Sequence, residues 1–531
     1  MTEPTHFQSR RRIILGASTA GIAMTLTFQL LAASPILASP ASPGTSPGNS
    51  FEKIDAFVQQ QMDRLRIPGV ALAIVQDDKI VHQRGFGVAR PQGEVPSPKT
   101  PFVLGSTTKS FTALAVMQLV EVGRIDLDAP VQRYLPWFRV ADLRASAQMT
   151  VRHLLNQTSG LSLSCGWIPL ADFDQNSDAG ERQSQALATL PLSHPVGSAF
   201  EYSNMNYNLL GLIVEAASGE PYATYIQDHV FAPLDMRYSY TTRTEAARNG
   251  LAAGYRYWFA SPVAVPNLPL PRGSLPSGQL ISSSEDMAHY LIAQLNDGRY
   301  GNVQVLSPAG VAKMHRPAVN ATMMGVPIGK YGMGWFTEEI GNTRLTYHSG
   351  TVPDYFSFMA LLPEQRKGVV LLVNADHWMM NMALMEVGMG AAILLADHQP
   401  APSRFAAIPW MMQALLLIPI LQAAGVLATL FWLRRWRRQP DRRPGPGRMW
   451  GIVILLPLIP NLAVALSLLI PTGSLGGFFW LFMPDLSWFA VICGSAALAW
   501  IFVRTALILW TLRRSSSSPV RRRGRYSSQI L

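Results

Sequence analysis

The spacing of apolar residues divides the chain into a mixed central region and a strongly apolar C-terminal region. Across residues 51–398, short apolar runs alternate with Gly, Pro, Asn and Asp, as they do in globular domains. Apolar stretches follow at about 406–433, 449–470 and 487–512. Each is long enough to cross the ~30 Å hydrocarbon layer of a bilayer. The sequence therefore predicts a globular domain at 51–398 and a membrane domain at 399–512.

The globular region begins and ends with different periodicities. Apolar residues recur at helical spacing after residue 50, at Phe51, Ile54, Phe57, Val58 and Met62. Two β-rich runs, 70–75 and 79–88, predict a hairpin, and a second helix, apolar over most of its surface, is predicted to begin at Ser106. Four strands are predicted near the end of the domain, at 331–338, 343–348, 355–362 and 368–374. This order predicts an α+β domain whose mainly antiparallel sheet is built from both termini, with a helical lobe inserted between them.

Basic residues are concentrated beside the apolar stretches. Residues 399–531 contain fifteen Arg and two Asp, a net charge of +13, whereas residues 51–398 carry a net charge of −4. Arginines cluster within 434–448 and within the tail 513–531, while the connector 471–486 has one acidic residue and no basic one. Because arginine-rich loops stay in the cytoplasm, we expect a multi-pass cell-membrane protein with a cytoplasmic tail. The connector and the globular domain are then both expected outside the membrane.

The N-terminal segment has the pattern of an export signal. Arg10, Arg11 and Arg12 precede a moderately apolar run, as in twin-arginine-like signals. We expect residues 1–38 to act as a signal, or as an anchor if they are not cleaved. The Pro/Ser/Gly-rich residues 39–50 are expected to form a linker. Export agrees with the location that the arginine distribution predicts for the globular domain.

Composition also limits the classes of ligand. The overall net charge of +11 does not indicate nucleic-acid binding, because the basic residues flank apolar stretches. Cys165 and Cys493 fall in different predicted domains, so we expect no disulfide between them. No clustered His, Cys and Asp residues show metal-ligand spacing, so no metal or other cofactor is expected. The expected partners are a substrate of the cell envelope, the lipid bilayer and, as an open alternative, a membrane protein that binds residues 399–531.

Candidate chemistry starts at Ser106 and Lys109, which are three residues apart on the second predicted helix. Side chains at this spacing are neighbours on one helix face. Serine becomes a strong nucleophile only when a base takes its proton. Lysine can be that base when burial or a positive potential, such as that of a helix N-terminus, destabilises its ammonium form.

The Ser-x-x-Lys spacing is common in long sequences, so its interpretation depends on two further motifs. Tyr202 and Asn204 supply a second proton-handling group and an amide that can orient the lysine or the substrate. His348 and Gly350 lie near the end of a predicted strand. The histidine can carry a positive charge, and the glycine lets a substrate backbone approach closely.

In this order, Ser-x-x-Lys, Tyr-x-Asn and His-x-Gly resemble the motifs of class C β-lactamases and their relatives. Those relatives include D,D-carboxypeptidases, D-aminopeptidases and family VIII esterases. The resemblance covers about residues 51–398 and extends to the stretches 153–160 and 281–286. It implies a β-lactamase/D,D-peptidase-like α+β fold and the activity of a serine hydrolase related to penicillin-binding proteins.

The resemblance also implies roles for the first two motifs. Ser106 would be the nucleophile that is acylated, and Lys109 would be its general base. Tyr202 would relay protons to the leaving group and help to activate water. Asn204 would position Lys109 and the substrate carbonyl.

The third motif would complete the site. The resemblance implies that His348, Ser349 and Gly350 line the substrate site, and that the backbone N–H groups of Ser106 and Thr351 form an oxyanion hole. β-Lactamases commonly carry Lys where this chain has His348. Because histidine is largely neutral at pH 7, it should bind a substrate carboxylate more weakly than lysine does. This departure favours peptidase or esterase relatives over a true β-lactamase.

Three other features have specific expectations. Asp354 stands where many relatives have glycine, and it either disfavours anionic substrates or caps a turn. His153 is expected to pack or to cap a helix. The methionine-rich run 378–382 is expected to pack a helix rather than to contact a ligand.

These features predict a membrane-anchored serine hydrolase that forms an acyl-enzyme at Ser106. Its expected substrates are D-amino-acid peptides of the peptidoglycan type or small esters and amides. A true β-lactamase is one alternative. Another is a non-catalytic receptor for penicillins or cell-wall fragments, although the intact Ser106, Lys109 and Tyr202 favour an enzyme.

Overall fold

A computed structural model describes the chain in seven segments, which are residues 39–40, 47–167, 172–266, 269–323, 325–439, 456–474 and 476–516. The predicted export signal, 1–38, lies outside these residues. Two compact units are present. The first holds the described residues up to Trp410 together with Gly477–Pro484, and the second holds the other C-terminal residues.

An eight-stranded sheet, antiparallel throughout, forms the centre of the first unit. In chain order the strands are β1 (Gly69–Gln76), β2 (Lys79–Gly87), β3 (Val319–Met323), β4 (Val326–Tyr331), β5 (Phe336–Ile340), β6 (Thr343–Val352), β7 (Tyr355–Leu362) and β8 (Lys367–Val373). The order across the sheet is β3-β4-β5-β6-β7-β8-β1-β2. Strands from the two ends of the domain therefore meet where β8 pairs with β1, with Val370 opposite Ala73. This confirms the predicted α+β fold with its sheet built from both termini.

The strand predictions hold best where the apolar runs are continuous. All eight residues of β7 are buried, as expected for a strand covered on both faces. The predicted strand 331–338 is wrong as a single element, since β4 ends at Tyr331 and β5 begins at Phe336. Between them Gly334 has a φ of +84°, and a Cβ there would lie 2.9 Å from the Cα of Ser110. The turn thus lets the sheet approach the helix that carries Ser110.

Helices fill the long insertion between β2 and β3 and pack on the sheet. The α-helices of the first unit up to residue 395 are Pro47–Leu65, Thr108–Glu121, Leu143–Gln148, Val151–Leu155, Ala179–Gln185, Asn204–Ser218, Tyr222–Ile226, Arg243–Arg248, Leu275–Gly278, Ser284–Leu295, Pro308–Met314 and Asn381–Leu395. Short strands pair as Phe102–Val103 with Ile281–Ser282, Tyr255–Trp258 with both Ser261–Ala264 and Ala375–Asp376, Arg299–Tyr300 with Val303–Gln304, and Ser39–Pro40 with His398–Gln399. The first helix starts at Pro47, so the end of the predicted linker is helical.

The helix Thr108–Glu121 runs through the core of the domain. Nearly all of its residues are buried, including Phe111 and Leu114, as its apolar surface predicts. Its α-helical hydrogen bonding begins at Thr108, whereas Ser106 lies in the 3₁₀ turn Gly105–Thr107. The predicted start at Ser106 is thus close, with one tighter turn preceding the helix.

The apolar helix Asn381–Leu395 belongs to the core of the first unit. By length and composition the segment Trp378–Leu395 could cross a membrane, but 67% of it is buried inside the protein. A Cβ at Gly388 would lie 2.3 Å from the ring of Phe358, so this helix packs closely against β7. It is a core helix rather than a free membrane span.

The C-terminal helices are Ile408–Ala414, Leu417–Arg438, Leu456–Ser474, Gly476–Phe482 and Pro484–Ser516. Two segments, Ile408–Arg438 and Pro484–Thr511, have the length and composition of membrane spans. They overlap the predicted spans 406–433 and 487–512. The third predicted span, 449–470, overlaps the helix Leu456–Ser474, while residues 449–455 lie outside the described part of the chain.

Candidate active site

Two glycines bring the turn that carries Ser106 against strand β6. Gly105 has a φ of +57°, and a Cβ at this position would lie 2.6 Å from the backbone nitrogen of Thr351. A Cβ at Gly350 would lie 2.0 Å from the carbonyl oxygen of Leu104 and 2.8 Å from the backbone nitrogen of Ser106. No larger residue fits either position without moving the backbone. The turn and the strand therefore touch at Gly105 and Gly350, and the backbone nitrogens of Ser106 and Thr351 lie next to this contact.

Buried hydroxyl groups form hydrogen bonds at the carbonyl that precedes the turn. Thr107 Oγ1 donates a 2.9 Å hydrogen bond to the Leu104 carbonyl oxygen and lies 3.0 Å from Ser357 Oγ. Ser357 on β7 also donates to the Leu104 carbonyl. These bonds tie the turn to strand β7, which limits the motion of Ser106.

Lys109 is fully buried, and its Nζ has three oxygen neighbours. It lies 2.9 Å from Ser106 Oγ, 2.7 Å from Asn204 Oδ1 and 2.6 Å from the carbonyl oxygen of Ser277. The last two oxygens can only accept hydrogen bonds. A neutral amine has two N–H groups and one lone pair. When the N–H groups donate to Asn204 and Ser277, the lone pair is left for the hydroxyl proton of Ser106.

Burial favours this neutral amine. Removal from water lowers the pKa of Lys109 well below its usual value, because the ammonium form loses its hydration. Burial likewise raises the pKa of Tyr202, against a smaller opposing effect of its hydrogen bond to Ser106. Tyr202 is therefore a phenol at neutral pH and can donate to Ser106 Oγ. Of these two groups, Lys109 is the one suited to act as a base.

Gln157 holds the loop that carries Tyr202 and Asn204. Its side-chain Oε1 accepts a 3.0 Å hydrogen bond from the backbone N–H of Ser203 and another from the amide of Asn206. Its backbone oxygen accepts from the N–H of Glu201 at 2.8 Å. The residues on both sides of Tyr202 are thus anchored to one glutamine, which has a φ of +58°.

His348 is buried and neutral. Burial, reinforced by the nearby Lys109, lowers the pKa of His348 to about 3. Its Nδ1 lies 2.6 Å from the carbonyl oxygen of Ser349, so Nδ1 carries the proton and Nε2 is an acceptor. Among the described residues, Nε2 has no hydrogen-bond partner. The side chain can therefore accept a hydrogen bond from a substrate, but it brings no positive charge.

Ser106 opens into a cavity of about 240 Å³ with mainly apolar walls. Tyr202, Asn204, His348, Ser349 and Thr351 line the cavity together with Ser106. Most of the remaining wall is aromatic or aliphatic, with Leu163, Trp167, Ile328, Trp378 and Met382 among its members. Within the described part of the chain, no Asp, Glu, Lys or Arg lines this cavity.

Asp354 plays a structural part at the turn between β6 and β7. Its φ of +76° belongs to the left-handed region that glycine adopts easily. Its carboxylate is buried and accepts two hydrogen bonds from Arg256, at 2.7 and 3.0 Å. Since Asp354 is paired and does not line the Ser106 cavity, the turn-capping alternative describes it better than repulsion of an anionic substrate.

The structure brings the candidate residues of all three motifs to one place. Gly350 contributes through its backbone contact with the Ser106 turn. His153 forms a capping box with Thr150, as expected for a helix cap. The expectation for the run 378–382 is wrong in part, because Trp378 and Met382 line the cavity.

Sequence reasoning missed several neighbours of the motifs. The contact between Lys109 and the Ser277 carbonyl could not be predicted, because every residue type has the same backbone acceptor. Gln157 lies in a stretch that resembles the family, yet its type alone does not reveal a positioning role. Trp167 lies beyond that stretch, and its place in the cavity depends on tertiary packing.

A family model described as Beta-lactamase matches residues 54–391. The chain belongs to the β-lactamase family. Protein flp of Staphylococcus aureus strain MW2 is 31% identical over 334 residues, which cover 62% of this chain and 64% of that protein. Penicillin-binding protein 4 of Amycolatopsis lactamdurans is 30% identical over 330 residues, covering 60% and 85% of the two chains.

A solved structure shows the same fold. The octameric penicillin-binding protein homologue from Pyrococcus abyssi matches with a TM-score of 0.57 and 28% identity. The match covers 66% of this chain and 78% of that one. Like the β-lactamase family match, it accounts for the globular domain and leaves much of the chain uncovered.

We expect Gln157→Met to slow acylation of Ser106 at least about 10-fold, because small displacements of a catalytic group carry large kinetic costs. Gln118→Met is the matched control, since the side chain of Gln118 likewise makes two hydrogen bonds, although it donates both, to the carbonyls of His229 and Val305, away from the site. Each variant should lose about 1–3 kcal/mol of stability. Acylation kinetics and thermal unfolding measure both effects. Equal acylation rates in the two variants would contradict the positioning role of Gln157.

Proposed function

We propose that the chain is a membrane-anchored serine hydrolase that forms an acyl-enzyme at Ser106 and acts on neutral esters or amides of apolar acids. The observation that carries this proposal is the buried Lys109 amine, 2.9 Å from Ser106 Oγ, with its two N–H groups engaged elsewhere. A receptor that only binds its ligand does not need a base poised in this way. The complete proton-transfer set therefore favours catalysis over a purely receptor function.

In the proposed acylation step, the Lys109 amine takes the hydroxyl proton of Ser106 while Oγ attacks the substrate carbonyl carbon. The backbone N–H groups of Ser106 and Thr351 stabilise the negative charge that develops on the carbonyl oxygen. The bond to the leaving group then breaks. Tyr202 donates its proton to the leaving alcohol or amine and recovers a proton from Lys109.

Hydrolysis completes the proposed cycle. A water molecule attacks the acyl carbon and loses its proton to the Tyr202–Lys109 pair. The acyl–Oγ bond breaks, and Ser106 Oγ recovers a proton. The net reaction is ester or amide plus water giving acid plus alcohol or amine, so no cofactor is required.

The charge of the cavity supports neutral substrates. D,D-peptides and penicillins present a carboxylate near the scissile bond, and a cationic residue in the third motif would bind it. Here His348 is neutral, and the described cavity lining carries no Lys or Arg. An unpaired carboxylate in an apolar cavity is costly. This argument favours esters and amides over D-amino-acid peptides and β-lactams.

The membrane part of the proposal depends on the apolar helices and the arginine distribution. The segments Ile408–Arg438 and Pro484–Thr511 are candidate spans, and arginines follow the first of them. Together with the predicted signal 1–38, this pattern supports a multi-pass protein with its catalytic domain outside the cytoplasm. The helices would then hold the hydrolase at the membrane surface.

We expect Ser106→Ala to abolish hydrolysis of a p-nitrophenyl ester and labelling by a fluorescent penicillin. Ser110→Ala is the matched control, because Ser110 is buried on the helix that follows the Ser106 turn and its hydroxyl donates to the Thr107 carbonyl. The control should keep its activity. Turnover that survives in folded Ser106→Ala would refute the assignment of the nucleophile.

We expect His348→Lys to raise the reactivity of a penicillin relative to a neutral ester by about 10-fold or more, because the substrate carboxylate would stabilise the ammonium form of the new lysine and pair with it. His348→Gln, which stays neutral, should leave the ratio near that of the wild type. Because the pKa of His348 is about 3, lowering the pH from 8 to 5 should not protonate it or increase penicillin labelling. A wild-type enzyme that gains affinity for penicillin on acidification would contradict a neutral His348.

A further inference from the structure

Residues 477–484 belong to the same compact unit as the catalytic domain, although they lie far from it in the sequence. They fall within the connector 471–486, between the apolar helices Leu456–Ser474 and Pro484–Ser516. Phe478 and Phe482 are 6% and 4% exposed and line the Ser106 cavity. The chain thus returns after its first apolar helices and contributes to the wall of the active site.

Aromatic contacts fix this short segment against the catalytic domain. The ring of Phe478 stacks on Trp167 with a centroid separation of 4.3 Å and on Phe482 at 4.7 Å. It also meets the edge of Trp378 at 4.9 Å, and Phe482 lies 6.2 Å from Trp378. These separations are those of favourable aromatic pairs. The four rings, Trp167, Trp378, Phe478 and Phe482, form what we call the aromatic wall.

The aromatic wall continues into the cavity of Ser106. Met382 and Met385 lie beside it on the helix Asn381–Leu395, and both line the same cavity. Flexible methionine side chains adapt to apolar ligands of different shapes. Ligand pockets with mainly apolar walls and a few placed polar groups are typical of small-molecule sites. Here the polar groups gather at Ser106, and the aromatic wall is the apolar part.

We propose that the aromatic wall is the acyl-chain subsite of the enzyme, and that the preferred substrate is an ester or amide of a medium-length apolar acyl chain. This inference rests on the proposed hydrolase function and deepens it. The scissile carbonyl lies at Ser106, and the chain extends along Phe478, Phe482 and Trp378. The connector between the membrane helices thereby determines substrate choice in the catalytic domain.

The arginine distribution supports this arrangement independently. It predicts the connector 471–486 on the same side of the membrane as the catalytic domain. A segment on the opposite side could not reach the cavity. Burial of acyl methylenes against aromatic rings would also supply the binding free energy that the cavity cannot obtain from charge pairing.

The test measures chain-length preference in the full-length protein. Acetyl, butyryl, octanoyl and dodecanoyl p-nitrophenyl esters are compared by kcat/KM. Each ester is supplied once as single molecules dissolved in water and once dissolved in phospholipid nanodiscs. We expect the wild-type ratio of octanoyl to acetyl turnover to exceed about 10. Phe478→Ala should reduce this ratio at least about 10-fold in one or both settings. The setting in which it falls identifies whether the chain arrives from water or from the bilayer.

Phe479→Ala is the matched control. Phe479 is the neighbouring residue of the same type on the same segment, and it does not line the cavity. Its substitution should leave the ratio unchanged. Phe482→Ala serves as a second test variant if Phe478→Ala fails to fold, and thermal unfolding reports which variants are folded.

The outcomes separate the two proposals. Ser106-dependent turnover without a preference for octanoyl over acetyl, or with equal ratios in Phe478→Ala, Phe482→Ala and Phe479→Ala, would overturn the acyl-chain subsite and leave the hydrolase function standing. If the wild type cleaves none of the esters, both the hydrolase function and the subsite are wrong.

Discussion

The site depends on keeping one lysine uncharged inside the protein. An ammonium group at the position of Lys109 would lose its hydration, and the surrounding groups are neutral: oxygens such as those of Asn204 and Ser277, and the rings of Tyr202 and Tyr207. The amine form fits the same contacts at lower cost, because its two N–H groups match two acceptors and its lone pair meets Ser106. Nucleophile activation is thus a consequence of burial together with hydrogen-bond geometry.

The fold supplies this environment from three directions. The central helix Thr108–Glu121 places Lys109 one turn after Ser106, and the inserted helical lobe supplies Asn204 and Tyr202. The sheet supplies Thr351, at a distance that only Gly105 and Gly350 permit. Both glycines are therefore structural requirements of the site.

The sequence predicted the parts of the site that depend on residue type and local spacing. The hairpin β1–β2, the buried helix after Ser106 and the three motifs were all visible as short patterns. Contacts made by backbone atoms or by remote side chains were not visible. The carbonyl of Ser277 leaves no pattern, and Phe478 lies in a stretch whose apolar composition indicates membrane helices and hides a role in the cavity.

β3 and β4 were missed for a related physical reason. Most of their residues are only partly buried or exposed, so they lack the continuous apolar runs that revealed β7 and β8. The family resemblance predicted the overall fold more completely than periodicity did. Neither could show the neutral, aromatic character of the cavity, which depends on residues from distant parts of the chain.

The most direct measurement of the central claim is the pH dependence of Ser106 acylation under single-turnover conditions. An amine accepts a proton only in its unprotonated form, so the rate should rise with pH through the pKa of Lys109 and then level off. Because burial lowers that pKa, the midpoint should lie well below 10.5, the ordinary value for lysine. A rate that keeps rising to a midpoint near 10.5, or that does not depend on pH, would contradict a neutral Lys109 as the base.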